Sequence, residues 1–234
     1  MTTTPPPAHG TPEAPLLTTR GHAEFDVEPE LASIGVTVTA RGRDRRTTLD
    51  DLTRRNTDAL DLIKSYGQAV TRVSTGTLTL TPELSEHGRG ERVRAYLGHV
   101  HLSAELTDFT ALGELTTRLA DLELTRVEGP WWSLRLASPV HTKARQRAVA
   151  DALQRAREYA ESLGTTIAAL IELADTGSEA GAPGRAPYGR SARTAFPGGP
   201  AAPAGPAAPL DLEPPRLRVS AQVSAQFTMR PPRL

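Results

Sequence analysis

SPVHTKARQRAVADALQRAREYAESLG, residues Ser138 to Gly164, predicts one long helix. Ser138 is a favoured N-cap residue, and Pro139 stands at the first helical position, where its missing N–H costs nothing. Gly164 follows Leu163, and glycine readily takes the left-handed conformation that ends many helices. Both ends of the helix are therefore marked in the sequence.

Alanine recurs at every fourth position of this segment. The stripe consists of Ala144, Ala148, Ala152, Ala156 and Ala160. Small side chains in a row let a helix lie close against a sheet or another helix. Alanine is also the best helix former, so the stripe is open to a second reading in which it serves helix propensity alone.

Two alternating segments, one toward each end of the chain, predict half-buried strands. From Leu16 to Val27, apolar or small side chains alternate with charged ones. From Leu217 to Met229, apolar side chains alternate with Arg, Ser, Gln and Thr. A strand of this length spans about 40 Å, so we expect it to reach beyond its own sheet toward a neighbouring subunit. Its polar face makes Gln222 and Gln226 interface candidates.

Between Ala32 and Ala137, the patterns predict strand, helix, strand, strand, helix, strand. These elements are Ala32–Ala40, a helix capped at Thr47 or Thr48 and ending near Gly67, Val70–Thr81, Arg94–Leu106 after a turn at Ser85–Glu91, a helix capped at Thr107 or Asp108, and Val127–Ala137. This is the βαββαβ order of ferredoxin-like folds. The predicted fold class is therefore α+β, an antiparallel sheet with a ferredoxin-like core packed by helices. The long helix, a short strand at Ile167–Leu173 and the long final strand complete it.

The overall composition excludes several classes of protein. The 27 basic and 27 acidic side chains leave a formal net charge of zero, so no chain-wide charge favours nucleic acid. No run approaches the roughly 18 apolar residues of a membrane span. The chain has no cysteine, which removes disulfides and thiolate metal sites. The first residues lack a signal-peptide pattern, so we expect a cytoplasmic protein unless a leader was removed.

Proline and glycine are concentrated in two parts of the chain, which sets the predicted domain organisation. Residues 1–15 are expected to be a disordered tail, and residues 177–209 a disordered linker rich in Pro, Gly and Ala. Residues 16–176 then form an α+β domain that the final strand, 210–230, completes. About 185 residues remain to fold, enough for one sizeable core or two small ones. Whether Arg185 to Arg193 within the linker recruits a partner is left open.

Two histidines on one strand face are candidate metal ligands. His99 and His101 are separated by one residue, so both side chains point to the same side. Two imidazoles bind a transition metal when a third ligand converges, and Glu24 or Glu105 are candidates. The alternative is that both histidines are exposed or lie at an interface. No cofactor is predicted.

No catalytic motif appears in the chain, and we expect it not to be an enzyme. It has no G-x-S-x-G, no H-E-x-x-H and no glycine-rich phosphate loop after a strand. The adjacent Trp131 and Trp132 are more informative, because neighbouring strand residues face opposite ways. One is expected to enter the core, and the other to face a partner, a helix or water, so both are interface candidates.

The order of these segments resembles the SIMPL domain family, found in bacterial periplasmic immunogenic proteins and cytoplasmic relatives. The resemblance is carried by RGHAEFDVEPELASIGVTV, by AYLGHVHLSAEL followed by DFTALGEL, by KARQRAVADALQRAREYAESLG and by LRVSAQVSAQF. Together they cover most of residues 16–230. One departure is Glu30, where the family pattern usually has Asp after the proline.

The resemblance implies an α+β fold and, in some members, large ring-like homo-oligomers. It implies no established catalytic residues, although the family has links to stress defence. We therefore expect a non-enzymatic, self-associating scaffold or binding module. We expect no nucleic-acid partner and no membrane span, and any other protein partner is unknown. The alternative is a ligand-binding or metal-binding stress protein that uses the His99 and His101 strand face.

Overall fold

The structure, a computed structural model, describes residues 10–84, 93–177 and 208–232. Within them the elements are β1 (Leu16–Val27), β2 (Leu31–Gly42), α1 (Arg45–Ser65), β3 (Val70–Leu84), β4 (Val93–Leu106), α2 (Phe109–Ala120), β5 (Thr125–Ser133), α3 (Pro139–Ser162), β6 (Ile167–Gly177) and β7 (Leu217–Met229). The strands form two antiparallel sheets, so the α+β class is confirmed. The predicted turn at Ser85–Glu91 and the segment from Arg185 to Arg193 lie outside the described residues.

The chain divides into two compact units, each with its own sheet. Of the described residues, the first unit contains 10–28, 135–177 and 216–232. The second unit contains 29–84, 93–134 and 208–215. No helix in the described part of the chain is long and apolar enough to cross a membrane.

The second unit has the ferredoxin-like strand order predicted from the sequence. Its sheet runs β3-β4-β2-β5, which places the first strand of the βαββαβ segment between the third and the fourth. Ile34, Val36 and Val38 of β2 share one fully buried core with residues of α1 and α2, including Leu52 and Leu112. The alternation in β2 therefore leaves its polar residues on the other face of the sheet.

The cap of α1 differs from the sequence prediction. The helix begins at Arg45, and the Asp44 side chain accepts a hydrogen bond from the Thr47 N–H at 2.9 Å. This bond holds the pKa of Asp44 below its usual range. A carboxylate reaches the N–H three residues on as well as a hydroxyl does, so Asp44 rather than Thr47 or Thr48 caps the helix. Of the two predicted caps of α2, Thr107 and Asp108, the structure uses Asp108, whose side chain accepts from two backbone N–H groups.

In the first unit, α3 packs on the three-stranded sheet β1-β7-β6. The predicted ends of α3 are confirmed, with Ser138 accepting from the Val140 N–H and Gly164 at a φ of +64°. All five alanines of the stripe are buried. Of the two readings of the stripe, close packing is the one that the structure shows.

Gly21 of β1 is the point of closest approach between α3 and the sheet. A β-carbon on Gly21 would lie 1.9 Å from the backbone oxygen of Ala148 and 2.6 Å from the backbone nitrogen of Ala152. Beside it, the Thr19 hydroxyl donates to the Ala152 carbonyl at 2.9 Å. The backbones of helix and strand therefore touch with no side chain between them.

The final strand is paired inside its own sheet along nearly its whole length, and its contact with a neighbouring subunit stays a prediction. β7 is the central strand, paired with β1 from Leu217 to Thr228 and with β6 from Gln222 to Met229. The long strand forms hydrogen bonds within the unit because it has a neighbouring strand on each side. Strand periodicity reports which face is buried, not how many neighbours a strand has.

We predict that Gly21→Ala destabilises the protein by about 2–3 kcal/mol, because the new methyl group must push α3 away from β1. Urea unfolding followed by circular dichroism measures the change. The control is Gly76→Ala, where the nearest atom would be 3.5 Å from the new carbon, an ordinary contact. Equal stability of the two variants would contradict the close approach.

Candidate functional site

The helix-free side of the four-stranded sheet is a neutral polar surface, which we call the open face. It consists of Ser33, Gly35, Thr37 and Thr39 of β2, His99, His101 and Ser103 of β4, and Trp131 of β5. The register brings them together, since Thr37 pairs with His101, Thr39 with His99 and Ser33 with Trp131. Its centre therefore combines hydroxyl, imidazole and indole groups.

Gly35 lies beneath the rings of His101 and Trp131 on the open face. A β-carbon there would lie 2.9 Å from His101 Cε1 and 3.3 Å from Trp131 Cη2. The imidazole and the indole thus converge over a position that has no side chain. Gly35 is not among the residues that the sequence predicted for a site, although a glycine inside an alternating strand signals a close approach.

Ion pairs surround this neutral centre. Arg126 lies 3.0 Å from Glu128 on β5, Arg41 of β2 lies 2.6 Å from Glu83 of β3, and Arg72 of β3 pairs with Glu105 of β4. Each of these three arginines is matched by a carboxylate on its own sheet. The rim therefore offers little net positive charge to a phosphate backbone.

The two histidines contact threonine hydroxyls. His101 Nδ1 is 3.3 Å from the Thr37 hydroxyl, and His99 Nε2 is 2.7 Å from the Thr79 hydroxyl. Glu105, on the same strand face, is paired with Arg72. Among the described residues, no three His, Asp or Glu side chains converge as a metal site would require.

The two tryptophans face opposite sides of β5, as the alternation predicts. Trp132 packs against the core and meets Phe109 edge to face, with ring centroids 4.8 Å apart. Trp131 keeps 43% of its surface exposed. The structure therefore decides what the sequence left open: Trp132 is the core residue, and Trp131 is the one available for contact.

The two glutamines named as interface candidates lie on the sheet of the first unit. Gln222 is exposed opposite His22, and Gln226 is half-buried opposite Thr18. Both belong to the face of β7 that points away from α3, because Val223 and Ala225 between them are buried. Their role as contacts stays a prediction.

Comparison with known proteins identifies the family. The model of SIMPL, described as a protein of unknown function (DUF541), matches residues 17–227. The chain belongs to the SIMPL family. A curated relative, the uncharacterized protein YggE of Edwardsiella ictaluri (strain 93-146), is 23% identical over 157 residues. That match covers 67% of this SIMPL chain and 66% of YggE, just under two thirds of the relative's length.

We predict that Trp132→Ala destabilises this SIMPL protein by about 3–5 kcal/mol, because it empties a space beside Phe109 in the core. Trp131→Ala should cost less than about 1 kcal/mol, since the indole lies on the surface. Denaturant unfolding of both variants measures the difference. A larger loss for Trp131→Ala would contradict the assignment of the two rings.

Metal titration tests the histidine pair. We predict that Zn²⁺ binds equally weakly to the wild type and to a variant that combines His99→Ala with His101→Ala, because no third ligand converges on them. Isothermal calorimetry measures both affinities. Tight binding by the wild type that is lost in the double variant would instead favour the metal-binding alternative.

Proposed function

We propose that this SIMPL protein is a non-enzymatic binding module that associates with copies of itself and acts as a scaffold. The open face of the second unit is its contact surface. The observation that carries this proposal is Trp131, a large aromatic side chain left 43% exposed at the edge of a neutral polar sheet.

The composition of the open face favours a protein partner. Tryptophan is among the residues most enriched at the energetic centres of protein interfaces, whereas Lys, Glu and Asp are depleted there. The open face has this arrangement, with Trp131 and His101 meeting over Gly35 and the ion pairs set around them. Hydroxyl groups of Ser33 and Thr37 supply hydrogen-bonding capacity beside the rings.

The surroundings of the two histidines support a binding role rather than catalysis. A histidine that acts as a general base is usually held in one orientation by a carboxylate and directed at a nucleophile. Here each imidazole contacts a threonine hydroxyl on a neighbouring strand, Thr37 for His101 and Thr79 for His99. These bonds fix the rings in place on the sheet.

Light scattering on a sizing column tests the proposal. We expect the full chain to run as an assembly larger than the 25.0 kDa of one copy, and Trp131→Ala to weaken that assembly by tenfold or more. Tyr159→Ala is the matched control, because it removes an exposed aromatic ring that lies on α3 instead, and it should leave the mass unchanged. A wild type that stays at the mass of one copy at all concentrations would contradict self-association.

A further inference from the structure

The connection between β6 and β7 is far longer than the two strands need. They are adjacent and antiparallel, with Gly177 at the end of β6 opposite Gln222 of β7. β7 begins at Leu217, a few residues before Gln222, so a short loop would join the strands. The chain instead uses residues 178–216, about 40 residues, and connections of this length are uncommon within a compact domain.

Part of this connection is bound to the second unit, and we call it the strap (residues 208–215). The Leu210 N–H donates to the Thr117 hydroxyl of α2 at 3.1 Å, and Leu212 packs against the core of the same unit. A β-carbon on Gly113 would lie 2.1 Å from the backbone oxygen of Leu210. The strap is therefore held at a defined place on α2 by its backbone and by one side chain.

β7, which follows the strap, completes the sheet of the first unit. Within the described residues, β1 and β6 each pair with β7 and with no other strand. β7 also supplies the apolar row that is buried under α3, which consists of Val219, Ala221, Val223, Ala225 and Phe227. Without β7, the position between β1 and β6 is a gap that only a strand with this pattern fills.

The segment that joins β6 to the strap is long enough to reach another copy. Residues 178–207, which lie outside the described part of the chain, consist largely of Gly, Pro and Ala. A segment of this length spans up to about 100 Å when extended. A folded domain of about 200 residues has a radius of gyration of only about 17 Å. The length of the connection therefore does not restrict β7 to its own copy.

An exchange of β7 between copies keeps the contacts that β7 makes. A strand supplied by a neighbour buries the same apolar row and forms the same ladder of hydrogen bonds, so exchange is a low-cost route to association. Pro214 and Pro215 separate the strap from β7, and consecutive prolines keep the backbone extended. The strap and β7 therefore form one extended segment that does not fold back on itself.

We propose that copies of this chain exchange residues 208–229, so that the strap and β7 of one copy dock on α2 and between β1 and β6 of a neighbour. The inference rests on the proposed self-association and names the segment that joins the copies. The exchanged strand takes the register that the structure shows, with His22 opposite Gln222. The exchange does not use the open face, so the two contacts are tested separately.

Cysteine cross-linking between two different chains tests the exchange. The chain has no cysteine of its own, so any disulfide must join introduced residues. One chain carries His22→Cys and the other carries Gln222→Cys, and the two are produced together in one host and then oxidised. The two positions are exposed register partners, so exchange brings the cysteines of different chains side by side. We expect a strong covalent pair on a denaturing gel without reductant.

A matched control measures disulfides that form by chance collision. Leu136→Cys replaces His22→Cys, because Leu136 is fully exposed in the same unit but is not a register partner of Gln222. Produced together with Gln222→Cys, it should give about tenfold less covalent pair. Equal yields from the two mixtures would overturn the exchange.

A chain that carries both His22→Cys and Gln222→Cys shows which copy supplies β7. In an exchanged assembly the disulfides join separate chains, and denaturation leaves a product of at least twice the 25.0 kDa of one copy. If β7 pairs with its own β1, the disulfide closes within one chain and the product stays at the mass of one copy.

Light scattering of the wild type and of Trp131→Ala separates the two proposals. A wild type that is a single copy contradicts both self-association and exchange. An assembly in which the double cysteine chain closes only on itself overturns the exchange and leaves self-association through the open face standing. Disulfides between chains in an assembly that Trp131→Ala does not weaken support the exchange and contradict the open face as contact surface.

Discussion

The direct contact between the backbones of α3 and β1 governs the first unit. At Gly21 the strand has no side chain, and the helix facing it carries alanine at every fourth position. The helix therefore lies deep over β1 and β7, and the apolar row of β7 is buried beneath it. The same placement leaves most of β6 uncovered by the helix, so one packing constraint produces both a core and a strand with exposed leucines.

The second unit uses glycine in a similar way at two places. The chain at Leu210 packs directly against Gly113 of α2. A β-carbon on Gly113 would lie 2.1 Å from the backbone oxygen of Leu210. Gly35 admits the rings of Trp131 and His101 on the opposite face of the sheet. One face is thereby closed by chain and helices, and the other is left as a neutral surface with one exposed indole.

The sequence predicts the elements and their order because side-chain periodicity carries that information. The alternation in β2 and β4 and the capping role of Asp108 are local properties, and the structure confirms both. By contrast, the strands that pair with β7 and the full length of β6 depend on contacts between residues that are far apart in the sequence. Register shifts near Ile171 and Thr176 break the alternation of β6, so its strand pattern ends at Leu173 in the sequence but at Gly177 in the structure. The convergence of Trp131 and His101 depends on pairing across three strands, which one sequence does not specify.

The central claim is that α3 and β1 meet backbone to backbone at Gly21 and that this contact buries the apolar row of β7. Hydrogen exchange of the backbone amides tests it most directly. The account predicts that amides of α3 near Ala148 and Ala152 exchange as slowly as those of β7, because both open only when the unit unfolds. Amides of α3 that exchange much faster than those of β7 would contradict it.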